Sequence, residues 1–122
     1  MDANEYQKKA HSFAFFPSPV IYEDVEGQTQ VNNLDYTYPA LNLASEAGEV
    51  AGKYAKAVRD CNGRIDEERR VEICKELGDV MWFVAELSTQ LGYTLEEVMT
   101  MNIEKLISRK NRGVLGGSGD NR

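Results

Sequence analysis

Two short runs of the chain, SEAGEV at 45–50 and KELGDV at 75–80, each hold a pair of carboxylates three residues apart: Glu46 with Glu49, and Glu76 with Asp79. On a helix that spacing places both acids of a pair on one flank, a turn apart. Four carboxylates brought together would repel strongly, because unit charges about 4 Å apart interact by about 4 kcal/mol at an effective dielectric near 20. Divalent cations relieve that repulsion. An all-oxygen donor set favours hard ions, magnesium first and manganese as an alternative. A carboxylate-bridged di-iron bundle would call for Glu-x-x-His pairs, and the single histidine, His11, stands outside both runs.

Each run also carries a glycine at the same internal position, Gly48 and Gly78. Glycine in a helix interior costs ~1 kcal/mol relative to alanine. These two positions therefore predict the close approach of a second backbone or of a ligand.

The elements that must position these acids are helical. Residues 3–12 read as a first short helix, and 16–33, with Pro17, Pro19 and the run EDVEGQTQVNN, read as loop. Helix formers resume from Leu34, or after Pro39, and continue to Asp60, where Asn62-Gly63 supplies a stop. A third helix is expected from an Asp66 cap to Gln90, and a fourth from Thr94, whose TLEE sequence has capping-box spacing, to Lys110 or Arg112. The glycine-rich ending, residues 113–122, reads as a mobile tail. At 122 residues the chain is expected to be one all-α domain, with a helical core over 34–112 behind an N-terminal helix and loop over 1–33.

Phase decides where the acids stand. On the second helix Leu43, Ala47, Val50, Tyr54 and Val58 form an apolar stripe, with Glu46 roughly 80° and Glu49 roughly 140° from its centre. The stripe of the third helix holds Ile73, Leu77, Val80, Met81, Val84 and Leu91, and Glu76 and Asp79 repeat the two offsets in the same sense. Antiparallel packing of the two helices would bring all four acids to one edge.

Charge narrows the partners. The formal net charge of −6, from 20 acidic and 14 basic residues, argues against general nucleic-acid binding, which needs a basic face. Cys61 and Cys74 lack CxxC spacing, and reduced thiols are expected. No segment approaches the ~20 apolar residues that span a bilayer, so a cytoplasmic protein with no membrane partner is expected.

The paired motifs resemble the all-α nucleotide pyrophosphohydrolases of the MazG-like type, related to the dimeric dUTPases. Their metal motif is an ExxE on one helix and an ExxD on the next, matched here by Glu46, Glu49, Glu76 and Asp79. YPALNLASEAGEV, KELGDVMWFVAEL and NIEKLISRKNRGVLGGSGDNR extend the resemblance over residues 34–122. It implies a four-helix, bundle-like subunit that assembles into a homo-oligomer, a dimer or tetramer. The implied reaction is magnesium-dependent cleavage of a nucleoside triphosphate to a monophosphate and pyrophosphate, with a purine deoxynucleotide such as dGTP as the expected substrate. Many members carry a further glutamate directly before the first motif, where this chain has Ser45. A non-catalytic helical interaction module with the same fold is the alternative that Ser45 raises.

Within that frame Glu49, whose larger offset points it outward, is expected as the general base. Lys53, Lys105, Arg109 and Arg112 are expected to hold phosphate, and Lys56 and Lys110 lie near them. An i,i+4 pair with Glu49 is the competing role for Lys53. Phe83 on the acidic flank is the first candidate for stacking on the base, with Trp82 and Asn42 as further candidates and Tyr36 and Tyr38 at the rim.

Overall fold

The computed structural model describes residues 1–15, 21–23, 26–27, 29–31 and 37–122. Among them the chain runs α1 (Ala3–His11), β1 (Ile21–Glu23), β2 (Thr29–Val31), α2 (Thr37–Cys61), α3 (Glu67–Gln90) and α4 (Leu95–Asn111), an all-α subunit of four helices with one short strand pair.

Local chemistry sets the helix ends. Asp2 caps α1 in a capping box with Glu5, and Asp66 caps α3 by accepting from Arg69 N–H at 2.9 Å. Thr94 and Glu97 close the expected box at the start of α4. Asn62 and Gly63 both adopt positive φ after α2, at 53° and 76°, and Gly63 N–H bonds back to Ala57 O at 3.0 Å. A glycine tolerates that left-handed turn without steric penalty.

The stretch expected as loop contains a correction. β1 and β2 pair antiparallel, with Ile21 opposite Val31 and Glu23 opposite Thr29. The β-branched and aromatic residues of IYE and TQV favour a pleated pairing that the proline and glycine content of the region obscures. Residues 34–36, and with them Tyr36, lie outside the described residues.

α2 packs against α3, while α1 lies against both α3 and α4. The cross-helix pairs run in opposite directions along the chain: Cys61 meets Arg69, and Lys53 meets Glu72 and Glu76. The hairpin is therefore antiparallel, as its short connection predicts. The small core sits on the other side of α3, where Ala10, Ala85 and Leu95 are buried with Ala3, Tyr6, Trp82 and Val84 against them.

Polar groups fasten α1 to this core. Buried Gln7 donates to Thr89 Oγ1 at 3.0 Å and to Tyr93 O at 2.8 Å, and accepts from Leu95 N–H at 2.7 Å. That last bond satisfies a free N–H at the start of α4. Glu86, 2% exposed, lies 3.0 Å from His11 Nδ1.

The apolar stripes expected as core are largely uncovered. Val58 is 68% exposed and Met81 52%, and Tyr54 and Leu77 are also exposed. The reason is the rotation of the hairpin: its seam runs through Ala57 and Ile73, both buried, and through the polar residues Lys53 and Glu76. α4 is held near its first turn, by Leu95 and by Asn4 bonding Glu96, and beyond it Met99, Met101, Ile103 and Ile107 are exposed.

Candidate metal centre

The hairpin seam brings three of the four predicted acids together. Glu46 on α2 and Glu76 and Asp79 on α3 each offer a carboxylate oxygen, all within 4.8 Å of one another. Glu76 and Asp79 share a flank because they are three residues apart on one helix. Glu46 joins them because the antiparallel register sets the middle of α3 beside the first half of α2. Partial burial, followed by repulsion from Asp79, Glu76 and Glu49, pushes the Glu46 carboxyl above the ordinary glutamate range.

Glu49 stands apart from that trio. It is exposed, one turn along α2, and its charge still acts on Glu46. Lys53 does not pair with Glu49 as the local spacing suggested. It reaches across the seam, 3.5 Å from Glu76 and 3.6 Å from Glu72, because two carboxylates on the facing helix offset more charge than one exposed neighbour. Added Cβ atoms at Gly48 and Gly78 would meet nothing within 4 Å. The close approach expected at these glycines is thus not made by this subunit's own described residues.

The predicted cations of α4 are engaged by the chain's own ending. Lys105 Nζ lies 3.2 Å from Asp120 Oδ1. Arg109, 6% exposed, donates through Nη2 to Asp120 O at 2.8 Å, Asp120 Oδ1 at 3.2 Å and Gly119 O at 3.3 Å. Arg112 donates to Arg122 O at 2.6 Å. The Arg122 guanidinium in turn binds the carbonyls of Val114, Leu115, Gly116 and Gly119. Residues 113–122, expected as a mobile tail, are therefore folded back on α4. Gly117 and Gly119, at φ of 91° and 88°, permit the reversals, and arginine donors replace the missing apolar core. Hydrogen bonds from Lys105 and then Arg109, together with their charges, hold the Asp120 carboxyl below the usual range.

The base candidates are distributed more widely. Phe83 is half-buried, edge-to-face with Trp82 at a centroid distance of 4.8 Å. Trp82 donates its indole N–H to Ala10 O at 3.1 Å and packs with the core. Asn42 donates to Tyr38 O at 3.0 Å near the start of α2, and Tyr38 is exposed. A residue absent from the sequence reading is Tyr6 of α1. Burial, and then the Asp79 charge, raise its phenol above the ordinary range, and α1 packs against α3, the helix that carries Glu76 and Asp79. The connection lies between residues 73 positions apart, and no local pattern marks it.

Comparison with known proteins now bears on the site. Residues 37–114 match the family model of the MazG nucleotide pyrophosphohydrolase domain, a span that includes all four acids. The chain belongs to the MazG family. It is 43% identical over 122 residues, the full length of both chains, to the Gene 37 protein of Mycobacterium phage L5. It is also 37% identical over 73 residues to the uncharacterized protein YvdC of Bacillus subtilis strain 168, a match covering 55% of this chain and 68% of the relative. No solved structure gives a significant match.

MazG domains are nucleotide pyrophosphohydrolases that work with a divalent metal. The donor set fits such an ion. Ligand oxygens about 2.1 Å from a hard cation are separated by about 3 to 4 Å, so a trio within 4.8 Å closes around one with small side-chain adjustments. No helix among the described residues is long and apolar enough to cross a membrane.

Proposed function

We propose that this MazG-family chain hydrolyses a nucleoside triphosphate between its α- and β-phosphates, releasing a nucleoside monophosphate and pyrophosphate. The carrying observation is the convergence of Glu46, Glu76 and Asp79 within 4.8 Å across the α2–α3 seam. These residues, with Glu49 completing the family motif, would hold magnesium, or manganese in its place. When bound, the ion neutralises phosphate charge and lowers the pKa of a water molecule.

The chain's own groups supply the rest. Glu49, exposed beside the trio, takes the proton of the attacking water. Lys53 is already poised at Glu76 and shifts to a phosphate oxygen when the acids are neutralised. Lys105, Arg109 and Arg112 offer further phosphate donors, the arginines as planar forks. Phe83, with Asn42 and Trp82 as further contributors, faces the base. A purine deoxynucleotide such as dGTP is the proposed substrate.

The working form is proposed to be a homo-oligomer, a dimer or tetramer. α4 makes no packing contact with α2, so its basic end and the acid trio belong to one site most readily when a neighbouring copy contributes one of them. Leu77, Val80, Met81, Val84, Leu95 and Met99 line an apolar groove of about 430 Å³.

The deciding experiment is a panel of ordinary and damaged ribo- and deoxynucleoside triphosphates incubated with magnesium, with monophosphate resolved from diphosphate. Pyrophosphate release from at least one, dGTP foremost, is expected. Absence of pyrophosphate from every substrate, with helicity intact, overturns the proposal.

A further inference from the structure

The tail occupies the donors to which phosphate was assigned. Lys105 and Arg109 both contact Asp120, and Arg112 contacts the main-chain oxygen of Arg122. Asp120 is itself 83% exposed, so it is anchored by these cations rather than by burial.

Arg109 shows that this occupant fits incompletely. Its side chain is 7% exposed, yet Nε, buried, has no partner while Nη2 carries three acceptors. A guanidinium binds best through its fork, with two parallel N–H groups on two oxygens of one anion. Asp120 presents only Oδ1 to Arg109 and the same oxygen to Lys105. A tetrahedral phosphate presents three oxygens, enough to take Nε, Nη2 and the Lys105 ammonium together. A single exposed carboxylate contributes little to holding a segment in place, whereas a polyphosphate brings several charges to the same donors.

We propose that residues 114–122 form an internal strap that presents one carboxylate, Asp120, to the cations of α4. Asp120 holds the place of a phosphate group on Lys105 and Arg109, and the polyphosphate of the substrate displaces it. Asp120 offsets the like charges of Lys105 and Arg109 in the absence of ligand. It also makes polyphosphate binding a competition inside the chain, in which tethering gives Asp120 a high effective concentration. The inference rests on the reading of Lys105 and Arg109 as phosphate donors.

The test compares the full-length protein with Asp120→Asn, Lys105→Ala and the double variant in calorimetric binding of inorganic triphosphate without metal. In parallel, the amide resonances of Gly116, Gly117 and Gly119 are followed. Asp120→Asn keeps the size of the side chain and removes its charge. It is expected to bind triphosphate about fivefold more tightly, Lys105→Ala should weaken binding in both backgrounds, and triphosphate should move the wild-type tail glycines toward unstructured shifts. Unchanged or weaker binding by Asp120→Asn, with Lys105 still required, overturns the strap and leaves the phosphate assignment standing. Binding that ignores Lys105 in both backgrounds overturns the assignment and the strap with it. Glycine resonances that stay in place at saturation overturn displacement even where affinities change.

Discussion

The ammonium of Lys53 lies 3.5 Å from a carboxylate oxygen of Glu76, across the seam between α2 and α3. One member of the acidic trio thus already has a cation beside it, and that cation is one of the proposed phosphate donors. Lys53 stands between two roles, charge compensation without ligand and phosphate contact with it.

Replacing Lys53 with methionine should separate the two. Metal affinity is expected to rise severalfold, since a competing positive charge is gone, while KM for the nucleotide also rises, about tenfold to a hundredfold for one lost charged hydrogen bond. Calorimetry with magnesium alone and steady-state kinetics check the two directions. A fall in both metal affinity and KM would contradict this placement.

Glu46 carries the pH dependence. Its folded pKa is raised by burial and by the neighbouring acids, so the folded state holds a proton that the unfolded state releases. The sign follows: this group disfavours folding as pH rises from the ordinary glutamate range through the raised value. In chelator, Glu46→Gln should remove that part of the decline in Tm, leaving the slopes from other carboxylates in place. Magnesium should raise Tm at neutral pH, by about 2.7 kcal/mol in stability at a hundredfold excess over Kd, and do little below the ordinary carboxylate range. The difference between wild-type and variant melting curves across pH is the measurement.

Turnover distinguishes Glu49 from the trio. Asp79→Asn should abolish activity together with metal binding. Glu49→Gln should lower kcat by about 10² to 10⁴, and retain more metal affinity, because Glu49 lies outside the trio. Helicity should persist in both. Full activity in either variant would remove that residue from the site.

Assembly rests on the uncovered face of the hairpin. Met81→Glu places a charge among residues that line the apolar groove and is expected to shift the sedimenting species toward monomer, with loss of turnover. Val71→Glu, at an exposed position outside that groove, serves as the comparison. Equal behaviour of the two variants would place the interface elsewhere.

Much of the architecture could be read from single stretches of chain. Asp66, Thr94 with Glu97, and Asn62-Gly63 mark helix ends because caps and stops involve neighbours within a turn. The same locality made the two acidic turns visible, since i,i+3 spacing fixes a shared flank whatever the helix packs against. The strand pair at 21–31 escaped because its signal is two runs of three residues in a region dominated by turn formers. The tail escaped because glycine content reports the freedom of an isolated segment, not the arginine donors that Arg109 and Arg122 extend to its carbonyls.

The sequence by itself determined the helices, their limits and the two paired-acid turns, together with the family to which those turns belong. Only the tertiary structure decided which faces meet. Rotation of the α2–α3 hairpin put Ala57, Lys53, Glu76 and Ile73 in the seam and left Tyr54, Val58, Leu77 and Met81 outside. That choice drew Glu46, Glu76 and Asp79 together, set Glu49 aside, and turned Lys53 toward Glu76 instead of its own helix. A helical period gives angles relative to one axis, whereas contacts some thirty residues apart depend on the phase and register of two axes, which packing alone sets.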